Sequence, residues 1–223
     1  MSSMIHGIPR ALLEQIQSAP RAGRRRLVAL VGPPASGKST LATKLVEALA
    51  TFDRKAQVVP MDGFHLDNRL LMERGLMHRK GSPDTFDARG LLSLVSRLSD
   101  EADVIFPLFD RARDIAIAGA GQVRDDCEIL IIEGNYLLYD APLWRELSPC
   151  WDFAIRLEVS TSMLRERLID RWLANGLSQE QAQKRAEEND LVNANLIAMH
   201  QLSADVSLVP AAKDNEFELA PGF

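Results

Sequence analysis

Cysteine is nearly absent from this chain: Cys127 and Cys150 are the only two among 223 residues. Two cysteines at that spacing make neither a disulfide framework nor a thiolate metal cluster. Long apolar runs are missing as well. No segment approaches the roughly 20 residues that a membrane-spanning helix needs. The opening MSSMIHGIPRALLEQIQ lacks the apolar stretch of a secretory signal, so a cytoplasmic location without membrane association is expected. Positive charge is in deficit, with 26 Lys and Arg against 31 Asp and Glu, a net charge of -5 and a pI near 5.4. That balance gives no general field to attract nucleic acid. The one basic run, between Arg21 and Arg26, reads as a solvated rim ahead of the first strand.

What is present is an ordinary globular balance, 46% hydrophobic and 26% charged, over a length that suits one large domain. Residues 8–19 read as an amphipathic helix with Ile8, Leu12, Leu13 and Ile16 on one face. LVALVG, EILIIEG (128–134), the segment 153–159 and ADVSLVP (204–210) read as short buried strands. QVVPMDG (57–63) is a further strand, marked as an edge by Pro60. Helices are expected over 38–50, 88–98, around 143–147 and from Ser162 onward. Ser178 and Gln181 form a capping box that opens another helix running to about His200. DVIFPLFD (103–110) reads as a strand running into a loop at Pro107, with a small hairpin after it. Residues 64–87 read as a long loop with some helix, and the tail after Ala211 as weakly ordered. Strands alternating with helices imply right-handed crossovers and a mostly parallel sheet covered on both faces.

The strongest chemical signal is GPPASGKST at 32–40, a full match to G-x-x-x-x-G-K-[ST]. Backbone N–H groups of such a turn surround phosphate oxygens, and the helix behind it presents its positive end to the same anion. Gly32, Pro33, Pro34, Ala35, Ser36, Gly37, Lys38, Ser39 and Thr40 are therefore the candidate nucleotide cradle. Lys38 is expected to reach the β- and γ-phosphates, and the Ser39 hydroxyl to bind Mg²⁺. The cofactor expected is ATP with Mg²⁺.

A guanine-nucleotide switch would need an N-K-x-D motif near a later strand, and none is found. The strand ILII ends in Glu133-Gly134 rather than in the aspartate of a motor or transporter ATPase. It is the strand at 57–63 that ends in aspartate, Asp62. In a doubly wound sheet the strand C-termini line the ligand crevice, where a carboxylate can take the proton of an acceptor hydroxyl.

Taken together, GPPASGKST, MDGFH (61–65), KGSPDTFD (80–87) and IIEGNYLL (131–138) resemble the phosphoribulokinase/uridine kinase/pantothenate kinase family of P-loop kinases. The closing ADVSLVP looks like the final strand of uridine kinases, and the likeness runs from Leu27 to Pro210. The resemblance implies that Asp62 is the general base and that Glu133 lies near Mg²⁺ or near the substrate. It implies that His65, Lys80 and Asp84 border the acceptor. Arg113, with Asp110 and Arg111, falls in the hairpin that shapes the acceptor pocket. That hairpin departs from the uridine kinases, which speaks against a nucleoside acceptor. RERLIDRW (165–172) occupies the position of the family's lid, so Arg167 and Arg171, four apart on one helix face, are expected to reach the transferring phosphate. NDLVNANLI (189–197) resembles a stretch near the nucleotide base.

The expected architecture is a three-layer α/β/α P-loop fold with a lid at about 161–178 and a small substrate hairpin. Residues 1–26 form an N-terminal helix and basic linker, 27–210 the kinase domain and 211–223 a tail. The expected reaction is transfer of the γ-phosphate of ATP to a hydroxyl of a small metabolite: a sugar such as fructose, a pantothenate-like alcohol or a nucleoside-like one. The competing expectation is a regulatory nucleotide-binding protein that hydrolyses ATP slowly and has no small acceptor. A homodimer is the base-rate expectation for oligomeric state.

Overall fold

A computed structural model describes residues 4–211 and 216–220. Its centre is a six-stranded sheet in which β1 (Arg26–Val31) lies between β5 (Ile129–Gly134) and β6 (Phe153–Leu157). Beyond β5 lies β2 (Ala56–Pro60), and beyond β6 lie β7 (Val206–Pro210) and β8 (Phe217–Leu219). All neighbours run parallel except the β7–β8 pair. Pro60 has no ladder N–H to give, and β2 is accordingly an outermost strand.

The near-continuous apolar strands are explained by cover on both faces. Side chains alternate along β1: Leu27, Ala29 and Val31 enter one core layer, and Val28 and Leu30 enter the other. The first layer packs against α4 (Ala88–Asp100) through Leu91, Leu94, Val95 and Leu98. The second packs against α2 (Lys38–Ala50) through Leu41, Leu45 and Leu49. It also takes in Ile8 and, from α1 (Arg10–Ser18), Leu12, Leu13 and Ile16, all fully buried. The N-terminal helix thus shares the core of the sheet.

Several local expectations are corrected. The basic run is not all rim: Arg25 is 1% exposed. Its guanidinium donates to the carbonyl oxygens of Leu98, Glu101, Ala102 and Arg124. Two of those acceptors, Leu98 and Glu101, lie at the C-terminal end of α4, where carbonyls lack intrahelical partners. The tail contributes β8 at the sheet edge, because Phe217 buries its ring in the second core layer. The rest of the tail, 212–215 and 221–223, lies outside the described residues.

DVIFPLFD does not stop at Pro107. β3 (Val104–Asp110) passes through it with a register shift between Phe106 and Leu108, and pairs with β4 (Ile115–Val123) as a hairpin separate from the main sheet. The 64–87 segment holds α3 (Asn68–Glu73), and a bridge between His65 and Phe86 closes its base. Helix α5 (Thr161–Ala174), in the segment expected to form a lid, is followed by α6 (Gln179–Arg185), whose capping box at Ser178 and Gln181 is formed. A π-helical turn, Ala186–Asp190, then leads into α7 (Leu191–Met199). Among the described residues no helix is long and apolar enough to cross a membrane.

Candidate active site

The phosphate loop leaves β1 at Val31 and enters α2 at Lys38. Gly37, just before the helix, stands at φ +100°, a left-handed conformation that glycine adopts at little steric cost. This turn aims the unpaired N–H groups of the first turn of α2 into the loop. Lys38 is buried, and its Nζ donates to the Pro33 carbonyl at 3.0 Å. Burial pushes its pKa down, against the opposing pull of Glu133 and Asp62.

Glu133 comes from the end of β5, the neighbour of β1, and pairs in register with Leu30. Its Oε1 accepts a hydrogen bond from Ser39 Oγ at 3.0 Å. Burial raises the Glu133 pKa, with Lys38 acting in the other direction. Both groups are costly to keep charged in these surroundings. A cation beside Glu133 and an anion beside Lys38 would relieve both costs at once.

Asp62 arrives from the next strand over. β2 ends at Pro60, and a 3₁₀ turn, Met61–Phe64, carries the carboxylate inward. That turn is pressed against the hairpin: a Cβ on Gly63 would come within 2.2 Å of the Pro107 carbonyl oxygen. The hairpin supplies Arg111, whose Nη2 donates to Asp62 Oδ2 at 2.9 Å. His65 follows, its Nδ1 lying 2.8 Å from the Asp62 carbonyl oxygen. A carbonyl can only accept, so Nδ1 carries the hydrogen. The His65 ring lies 4.1 Å from Phe86 and 4.5 Å from Phe109 between centroids, and burial lowers its pKa.

These groups face one polar cavity of about 370 Å³, with Pro34, Ala35, Gly37, Ser39 and Thr40 on its phosphate-loop wall. Gly32 and Pro33 instead border a second cavity of about 250 Å³ on the other side of the loop. Val31, Leu157, Leu164 and Ile197 make that cavity largely apolar. Ser36 is buried, and its Oγ has no protein partner.

The other expected site residues divide. Arg171 lines the polar cavity. It keeps considerable surface open to solvent, yet crowding by protein is the leading cause that lowers its pKa, followed by the Arg111 charge. Arg167 does not line this cavity: its Nη1 donates to the Ser36 carbonyl at 3.0 Å and braces the phosphate loop from behind. Lys80 lines the cavity, but its ammonium is engaged by Asn68 Oδ1 at 2.7 Å, the Asp114 carbonyl at 3.0 Å and Asp114 Oδ2 at 2.8 Å. An ammonium has three hydrogens to give, so Lys80 is a brace between α3 and the hairpin. Arg113 turns back to Asp110 at 2.7 Å, and Asp84 borders a separate groove with Arg89 and Tyr139.

Of the two arginines expected in the hairpin turn, Arg111 meets Asp62 and Arg113 does not. Sequence reasoning missed Asp114, Trp172, Arg185 and Asp190, all on the polar cavity wall. Asp190 was signalled only as part of NDLVNANLI and Trp172 only as the last residue of RERLIDRW, and nothing local marks Asp114 or Arg185.

A phosphate loop that faces a strand-end carboxylate, with an apolar cavity at its back, is the arrangement of a P-loop phosphotransferase. No family model matches the chain. Among curated proteins, the uncharacterised YggC of Escherichia coli K12 is 37% identical over 186 residues, 82% of this chain and 77% of the relative. A Schizosaccharomyces pombe protein provisionally named uridine kinase C227.14 is 32% identical over 196 residues, 83% of each. Pantothenate kinases match at 30–34% identity, and the chain spans about half their length. A crystal structure from Silicibacter sp. TM1040, provisionally named a fructose transport system kinase, superposes with a TM-score of 0.85 at 53% identity. The match covers 88% of this chain and 97% of that one.

The chain belongs to the phosphoribulokinase/uridine kinase/pantothenate kinase family of P-loop kinases. It is a phosphotransferase that acts on an alcohol group of a small molecule.

Proposed function

We propose that the protein binds ATP·Mg²⁺ across the phosphate loop and transfers the γ-phosphate in line to a hydroxyl of a small sugar-like metabolite. The observation that carries this reading is Asp62. A carboxylate fixed at 2.9 Å by Arg111, across the same cavity from Lys38 and Ser39, suits an acceptor larger than water. The provisional fructose transport name of the Silicibacter counterpart supports a sugar over a vitamin-like or nucleoside acceptor.

The residues present fit the nucleotide and its metal. Lys38, the N–H groups at the start of α2 and the partnerless Ser36 hydroxyl favour an anion. Ser39 and Glu133 offer two oxygens to a cation. Among the described residues no cluster of three acidic, histidine or cysteine side chains could hold a metal. The remaining positions of its shell would fall to phosphate and water, as Mg²⁺ prefers. The apolar cavity behind Gly32 and Pro33 is suited to the flat base of the nucleotide.

ATP·Mg²⁺ supplies the phosphoryl group and neutralises charge on its oxygens. The chain's own residues do the rest. Lys38 balances charge on the phosphates, and Arg171 adds a second cation from the lid as charge moves in the transition state. Asp62 orients the acceptor hydroxyl and takes its proton. Arg111 holds the carboxylate in direction, and Lys80 holds the hairpin that carries Arg111. Arg167 keeps the phosphate loop in shape.

The test is ADP release by the purified protein with fructose, other sugars and polyols, pantothenate and nucleosides. Strong stimulation by a sugar or polyol is expected. A protein that turns over ATP at one slow rate whatever is added would instead be the regulatory ATPase.

A further inference from the structure

The lid helix is joined to the acceptor side by a contact that sequence gives no reason to expect. Trp172 follows Arg171 and borders the polar cavity. Its indole Nε1–H donates to Asp190 Oδ2 at 2.6 Å. Asp190, 8% exposed, closes the π-helical turn Ala186–Asp190. A π turn closes its hydrogen bonds between residues five apart instead of four, which brings such residues onto one face. Arg185 and Asp190 have that spacing. In an uninterrupted α-helix one of them would turn away from the cavity they both line.

Around the indole the two arginines converge. The guanidinium carbon of Arg171 lies 5.6 Å from the centre of the Trp172 ring, and that of Arg185 lies 5.4 Å from it. Contacts at this range are attractive for a cation. Asp190 and Asp62 are also the carboxylates whose charges act on Arg171. From there the chain of contacts runs on to the acceptor loop. Arg185 donates to the carbonyl oxygens of His78 at 2.9 Å and Lys80 at 3.1 Å. Asn189 Nδ2 donates to the same Lys80 carbonyl at 3.1 Å. Lys80 in turn braces Asp114 of the hairpin.

We propose that Trp172 and Asp190 are positioning residues whose hydrogen bond holds Arg171 at the cavity wall and ties the lid helix to the Lys80 loop. The phosphate-side cation and the acceptor-side loop are thereby set as one body. The clasp rests on the kinase reading for its purpose, though not for its existence.

The test compares Trp172→Phe, which keeps the ring and removes the N–H, with Asp190→Ala and Asp190→Asn, the last of which keeps an acceptor oxygen. With ATP and the acceptor returned by the screen, Trp172→Phe and Asp190→Ala should each lower kcat about tenfold, as expected for a lost buried hydrogen bond to a charged group. KM for ATP should stay within about threefold, Asp190→Asn should retain most of the rate, and the double variant should be no worse than Asp190→Ala. Independently of turnover, amide hydrogen exchange should quicken in both 167–177 and 78–82 for Trp172→Phe and Asp190→Ala, and in neither for Asp190→Asn.

Quickening confined to the lid would overturn the coupling. An Asp190→Asn variant as poor as Asp190→Ala would overturn the hydrogen bond in favour of charge alone. If Trp172→Phe fails to fold, the two Asp190 variants decide. If no acceptor is turned over, the kinase reading fails, while the exchange experiment still settles the clasp.

Discussion

The two cavities that flank the phosphate loop are assembled by opposite means. The apolar one is walled by strand ends and helices of the main body: Val31 of β1, Leu157 of β6, Leu164 of α5 and Ile197 of α7. Its chemistry is burial, and any well-packed set of aliphatic side chains would make something like it. The polar one draws on a 3₁₀ turn, a hairpin tip, the 64–87 segment and a π turn. There charged side chains are aimed by partners from other segments: Asp62 by the Arg111 guanidinium, Lys80 by the Asp114 carboxylate, and Asp190 by the Trp172 indole N–H. The difference teaches that the apolar cavity depends on the general fold, whereas the polar one depends on irregular segments that meet only in the folded chain.

If that division is right, substitutions on the polar side should act on kcat and substitutions on the apolar side on nucleotide affinity. The largest effect is expected for Lys38→Met, with turnover falling on the order of 10⁴-fold, comparable to loss of a transition-state cation in other phosphoryl transfers. Thermal unfolding should not suffer. Lys38 is buried and its charged form is disfavoured there, so an apolar side chain of similar length is neutral or stabilising. Steady-state rates with an unfolding scan check both halves.

Next comes Asp62→Asn, which keeps shape but cannot take a proton. Acceptor-stimulated ADP formation should drop about 10³-fold, within the range for general base catalysis. Binding of ATP measured by calorimetry should barely change. Equal loss of stimulated and background hydrolysis would move Asp62 from the acceptor to the metal or to water, and the comparison would break there.

The two arginines of α5 sharpen it further. Arg171→Ala should lower kcat on the order of 10²-fold with little change in KM for ATP. Arg167→Ala, which frees the carbonyls of Ala35 and Ser36, should raise KM for ATP while sparing kcat. The reverse pattern would exchange their roles.

The smallest effect belongs to the apolar side. Ala198→Leu intrudes on the 250 Å³ cavity from an exposed helix position. KM for ATP should rise about tenfold, or about 1.4 kcal/mol of binding, with kcat unchanged. A fall in kcat alone would mean that this cavity does not hold the base.

Much of this fold was legible because its signals are local. A strand covered on both faces must be apolar at every position, so LVALVG and EILIIEG announce themselves. The Ser178–Gln181 capping box and the edge position of Pro60 follow from hydrogen-bond requirements of single residues. The phosphate loop is legible for the same reason, since its backbone shape needs glycine and its chemistry needs Lys38 and Ser39 in one contiguous stretch. Arg25 misled because a run of arginines suggests solvent, and only the folded chain brings it the carbonyls of Leu98, Glu101, Ala102 and Arg124.

By itself, then, the sequence determined a parallel sheet, the loop at 32–40, and carboxylates at the ends of two of its strands. Tertiary structure alone decided which charges meet across the cavity. Arg111 rather than Arg113 reaches Asp62, Arg167 braces the loop while Arg171 faces the cavity, and Lys80 is spent on Asp114. The physical reason is range. Backbone conformation and apolar cover are set within a few residues, but a hydrogen bond between side chains 49 positions apart, as between Asp62 and Arg111, depends on ångström-scale placement of a turn and a hairpin by everything packed beneath them.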